Sequence, residues 1–155
     1  MESILITGAT SGIGNHLIKI LSNSNYKIYF VGRNKVKCEN LVQELSNKYK
    51  KDVKYFLCDF SDLSSVQHAG NEILKTTSRI DVLINNAGKV IFSYGKTKDN
   101  FERCFQINYL SHFFLTEILL KHKLLGENSQ IINVSSTAHH PKSSINSLDF
   151  IKHKE

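Results

Sequence analysis

Apolar runs alternate with helically spaced apolar stripes along most of this 155-residue chain. Ile4-Leu5-Ile6, Ile28-Tyr29-Phe30-Val31, Val53 to Leu57, Val82-Leu83-Ile84 and Ile131-Ile132-Asn133-Val134 each predict a short strand. Between them, Leu17, Ile20 and Leu21, then Cys38, Leu41, Val42, Leu45 and Tyr49, then Leu63, Val66, Ile73 and Leu74 mark the apolar faces of three helices. Phe101 to His122 holds neither proline nor glycine and predicts one long helix. Strand runs without polar alternation belong to a sheet covered on both faces, and repeated βα units give parallel pairing with right-handed crossovers. The expected fold is therefore α/β, a doubly wound parallel sheet. Periodicity stops after Ser136, so residues 1–136 read as one domain and 137–155 as a loop or disordered tail.

Composition narrows the classes. Hydrophobic content of 41% and charged content of 22% are those of an ordinary globular domain. No apolar run spans a bilayer, and the first strand leaves no room for a signal peptide ahead of it, so the expected location is cytoplasmic. The net charge of +6 comes from lysines scattered along the chain, without the clustering that nucleic acid would require. Cys38, Cys58 and Cys104 lack metal-ligand spacing, so no metal is expected.

The densest chemical signal lies between the first strand and the first helix, in Thr7-Gly8-Ala9-Thr10-Ser11-Gly12-Ile13-Gly14. Glycines there let the backbone turn sharply and approach a pyrophosphate, which the free N–H groups of a helix N-terminus can bind. A strand–turn–helix setting makes this a nucleotide-binding pattern rather than a flexible turn.

With this motif, Asn85-Asn86-Ala87-Gly88 and Val134-Ser135-Ser136, the chain resembles the short-chain dehydrogenase/reductase family from Ser3 to about Ser136. The resemblance implies a Rossmann-type sheet with helices on both faces, five strands being present and the C-terminal strands missing. It implies cofactor contacts from Gly8, Thr10, Ser11, Gly12, Ile13 and Gly14, an adenine contact from Asp59, and a cofactor-side turn from Asn86, Ala87 and Gly88. Where an acidic residue after the second strand would select NAD, this chain has Gly32-Arg33-Asn34. Arg33 can fork to a 2′-phosphate, so NADP is expected over NAD.

Family members use Asn, Ser, Tyr and Lys for proton transfer beside a nicotinamide. Asn108 matches the asparagine, and its position with Phe101, Cys104, Phe105, Leu115 and Leu119 predicts that it is buried. Ser136 matches the serine, with Ser135 as the neighbouring alternative. The only Y-x-x-x-K spacing, Tyr94 to Lys98, precedes Asn108 and falls in a glycine-containing loop, where chance accounts for it. His139 and His140 read as solvated tail residues rather than replacement acids. Loss of the proton-transfer pair would forfeit a factor of order 10²–10⁴ in rate.

The stretches Ile107 to Thr116 and Ile131 to His140 look most like the retinol- and steroid-dehydrogenase-like branch, which implies a small lipophilic alcohol or carbonyl substrate. Three readings are open: an NADP-linked dehydrogenase incomplete at its C-terminus, a catalytically inactive cofactor-binding or regulatory module, and an unstable fragment. The fifth strand is expected to be an open edge, and the apolar 101–122 helix a surface for homo- or hetero-oligomers.

Overall fold

The computed structural model describes residues 1–136. The expected tail of residues 137–155, with His139 and His140, lies outside the described residues. Five parallel strands stand in the order β3-β2-β1-β4-β5: β1 (Ser3–Thr7), β2 (Lys27–Gly32), β3 (Val53–Leu57), β4 (Val82–Asn85) and β5 (Gln130–Asn133). The order reverses direction between β1 and β4, and in doubly wound sheets that reversal opens a crevice at the carboxyl ends of the strands.

The central strands carry the continuous apolar runs because both their faces are covered. All five residues of β1 are buried, as are all of β2 except Lys27. One apolar layer joins Leu5, Tyr29, Phe56 and Leu83 to Val66 and Ile73 of α3 (Leu63–Thr76) and to Leu115 and Leu119 of the last helix. The other joins Ile4, Ile6, Ile28 and Phe30 to Ile18 of α1 (Gly12–Leu21) and to Leu41 and Leu45 of α2 (Lys35–Tyr49). In α1 the predicted inward face shifts by one position. Ile20 is 54% exposed, whereas Gly14 and Ile18, one turn apart, are buried. Leu17 and Leu21 flank that stripe at the sides, in keeping with helical spacing.

Caps match the polar residues available. Asn34 accepts from Lys37 N at 3.0 Å to start α2. Asp62, rather than Ser61 or Asp59, starts α3 by accepting from Ser64 N at 2.9 Å and Ser65 N at 3.2 Å. The side chains of Lys98 and Ser64 and the Ser65 N–H together hold the Asp62 carboxyl down to about 2.

The predicted long helix is three pieces: α4 (Arg103–Phe105), a π-helical turn over Gln106–Leu110, and α5 (Ser111–Lys121). Phe101 precedes it and Glu102 caps it, accepting from Cys104 N at 3.0 Å and Phe105 N at 2.7 Å. A π turn takes up an extra residue and rotates the helix beyond it, so the apolar positions before and after it do not share one face. Burial passes to Gln106, fully enclosed because Thr97 Oγ1 donates to its Oε1 at 2.5 Å while its Nε2 donates to Asp99 Oδ2 at 2.7 Å. Asn108, expected to be buried, is exposed.

Among the described residues β5 pairs with β4 alone, and all four of its residues are exposed, as expected of an open edge. Also among the described residues, no helix is long and apolar enough to cross a membrane.

Candidate functional site

Gly8 opens the first βα turn in the left-handed region at φ +72°, and Gly12 closes it at φ +54°. A side chain at Gly8 would place its Cβ 2.7 Å from the Ala87 Cα, so only glycine lets the first turn lie against the strand end of β4. A Cβ on Gly14 would sit 2.5 Å from both Asn86 Nδ2 and Gly8 O. Gly12 has nothing within 4 Å of the same position, so that side of the turn is open space.

Thr7 ties this turn to the end of β4. Its hydroxyl accepts from Asn86 N and Ala87 N, each at 2.9 Å, and donates to Ile84 O at 3.4 Å. Asn86 returns the contact, its Nδ2 donating to Thr7 O at 2.9 Å and Gly8 O at 3.4 Å. Because Thr7 is fully buried, its hydroxyl uses its whole hydrogen-bonding capacity on the strand end.

These turns bound a cleft of about 490 Å³. It is lined by Gly8, Thr10, Ser11, Gly12 and Ile13 of the first turn, by Gly32 and Arg33 at the end of β2, by Asp59 and Phe60 after β3, and by Asn86, Ala87 and Gly88 after β4. Of the expected cofactor residues, all but Gly14 line it; Gly14 is buried and acts by letting Asn86 approach. Arg33 is exposed beside the cleft. Asp59 spends one carboxylate oxygen on its own loop, accepting from Ser61 N at 2.9 Å and Ser61 Oγ at 2.7 Å. Cys58 also lines the cleft, but burial pushes its thiol up to about 12.

A second cavity of about 590 Å³ lies beyond the wall formed by Ala87 and Val134. Asn108 and Ser135 line it, with His112, Thr116 and Asn133. Asn108 Oδ1 accepts from Lys89 N at 2.8 Å, and its Nδ2 donates to Lys89 O at 3.0 Å. The π turn thus aims Asn108 at the backbone of the β4 loop instead of the core. Ser136 is exposed just past β5. Tyr94 and Lys98 line neither cavity, and Lys98 is held by Asp62 at 2.5 Å.

Three contributors were not visible as site residues in the sequence. Lys89 lines the cleft and holds Asn108 through its backbone. Thr7 and His112 hold the β4 end from opposite sides, His112 placing Nε2 2.7 Å from Ala87 O. Only Thr7, beside the glycines, had a positional signal.

A doubly wound parallel sheet with a glycine turn and cleft at its reversal point defines a dinucleotide-binding class of protein. Residues 2–147 match the sequence profile described as short chain dehydrogenase, and the chain belongs to that family. It is 34% identical over 138 residues to retinol dehydrogenase 12 of Homo sapiens, covering 88% of this chain and 44% of that protein. Against human retinol dehydrogenase 11 the identity is 36% over 138 residues, covering 88% and 43%. The chain therefore spans less than half the length of these curated relatives. A short-chain dehydrogenase from Sphingobium yanoikuyae in complex with NADPH superposes with a TM-score of 0.74 at 25% identity, covering 88% of this chain and 54% of that one. These relatives bear out the family and the retinol-dehydrogenase-like branch read from the sequence.

Proposed function

We propose that the chain forms the NADP-binding part of an oxidoreductase that passes a hydride between the nicotinamide and a lipophilic alcohol or carbonyl. Residues 1–136 would serve as its dinucleotide-binding domain. The observation that carries this reading is the cleft at the sheet reversal, open over Gly12 and bordered by Arg33 with no carboxylate in Gly32-Arg33-Asn34. Backbone N–H groups of the first turn would hold the pyrophosphate, and Arg33 the 2′-phosphate. When bound, the nicotinamide supplies the hydride. Asn108, in the cavity beyond the wall of Ala87 and Val134, and Ser136, past the end of β5, would serve the reacting end. Retinol dehydrogenases 11 and 12 and the NADPH complex support the substrate class and the cofactor.

Titration of the full chain with NADPH and NADH tests this. NADPH should bind more tightly, and Arg33→Glu should reverse the order. Equal affinities that Arg33→Glu leaves unchanged would refute the assignment of Arg33.

A second reading, a cofactor-binding module without turnover, is favoured by one observation: the sole Y-x-x-x-K spacing stands away from both cavities. NADPH binding without turnover on a panel of lipophilic ketones would select it, and measurable turnover would eliminate it. Tyr109, Phe113 and Leu120 are exposed along the last helical stretch, and we propose this face for self-association, to be checked by sedimentation.

A further inference from the structure

We propose that His112 is a positioning residue for the cofactor cleft, holding the Ala87 carbonyl and, through it, the turn from Asn86 to Lys89. The proposal rests on the cofactor reading above, but its structural half is separable from it. His112 lies in the first turn of α5 and is 6% exposed. Its Nε2 is 2.7 Å from Ala87 O, its Nδ1 is 3.3 Å from Asn85 Oδ1, and the Phe60 ring meets it edge-on at 4.7 Å. Three elements therefore converge on one imidazole: α5, the end of β4, and the loop after β3.

The other supports of this turn reach groups other than the Ala87 carbonyl. The N–H groups of Asn86 and Ala87 are already given to Thr7. Ladder pairing of β4 with β5 ends at Asn85–Asn133. The Ala87 carbonyl lies past that ladder, and His112 is the donor that reaches it. Two residues on, Lys89 exchanges both backbone groups with Asn108, which lies one helical turn before His112. Thr7, His112 and Asn108 thus clamp one four-residue turn from three directions, and that turn lines the cleft from Asn86 through Lys89.

An apolar side chain would fill this core position without the cost of burying a titratable ring. The Nε2–H tautomer answers why a histidine stands there, because it supplies a short, rigid donor to the carbonyl.

The test compares His112→Leu, which fills the space but removes the donor, with His112→Gln, which retains one. Leu115→Ala, in the same helix and fully buried, serves as a stability control that thins the core cluster beside Ala87 but leaves the hydrogen bond to the Ala87 carbonyl in place. On the full chain, His112→Leu should weaken NADPH binding about tenfold and speed amide exchange at Lys89. His112→Gln should recover most of both effects. Leu115→Ala should lower the thermal midpoint without changing either.

Wild-type affinity in His112→Leu, or an equal loss of affinity in Leu115→Ala, would overturn the proposal. If the wild-type chain does not bind NADPH, the cofactor reading fails, and Lys89 exchange alone decides the positioning role. Unchanged exchange in His112→Leu then overturns it. Should His112→Leu not fold, His112→Gln is set against His112→Asn, whose amide is one methylene shorter. Equal NADPH affinity and equal Lys89 exchange in those two variants would also overturn it.

Discussion

Replacing Thr7 by valine keeps the shape of the side chain and removes one oxygen. That oxygen accepts from Asn86 N and Ala87 N at 2.9 Å each and donates to Ile84 O at 3.4 Å. With Thr7 fully buried, valine strands two backbone donors against a methyl group. An unmade hydrogen bond at a buried donor costs roughly 1–3 kcal/mol, so two partly buried donors cost about 3 kcal/mol together. For a domain of this size that lowers the thermal midpoint by about 10 °C. Thr7→Ser keeps the oxygen and loses one methyl, a cost of about 1 kcal/mol. Differential scanning fluorimetry of the three proteins reads the order directly, with wild type highest, serine next and valine lowest. NADPH affinity should fall in the same order, since the stranded donors belong to residues lining the cleft. A valine variant as stable as the serine variant would refute the reasoning, because it would show that the Asn86 and Ala87 donors find other partners.

Gly14→Ala should unfold the contact between the first turn and Asn86, because its Cβ would meet Asn86 Nδ2 and Gly8 O at 2.5 Å; NADPH titration should show loss of binding, whereas Gly126→Ala, with open space around it, should bind normally. His112 is held below its ordinary range by burial, partly offset by the Ala87 carbonyl. The residues facing it, Asn85, Ala87 and Phe60, are neutral, and the loops that carry them also carry Asp59 and Lys89. Between its folded value and about 6.5 the unfolded chain binds more protons. Its contribution to stability is therefore complete above about 6.5 and is lost as pH falls through the folded value. Urea midpoints measured across that window should fall more steeply for wild type than for His112→Gln. Burial holds the Cys38 thiol at about 11 and that of Cys58 at about 12, so a neutral-pH alkylating reagent should label Cys104 first in the native chain and all three cysteines only in denaturant. Fast labelling of Cys58 would contradict the packing around the cleft.

The sequence by itself determined the strands, their parallel pairing and the glycine turn, because these depend on local patterns. Buried strands need unbroken apolar runs, as Ile28 to Val31 shows, and a turn held at positive φ needs glycine, as Gly8 and Gly12 show. It also named most of the cleft, since those residues stand at strand ends where the motifs are contiguous. Only the tertiary structure decided the orientation of Asn108. Helical spacing placed Asn108 with buried Leu115 and Leu119, but the π turn over Gln106–Leu110 rotates it to the Lys89 backbone. That turn is stabilised by Thr97 and Asp99, which reach Gln106 across a loop. In the same way, Thr7 and His112 are 105 positions apart and both reach Ala87 only because β1 and α5 close on the end of β4. Such contacts leave no periodic trace, because hydrogen bonds between distant segments depend on how the layers pack.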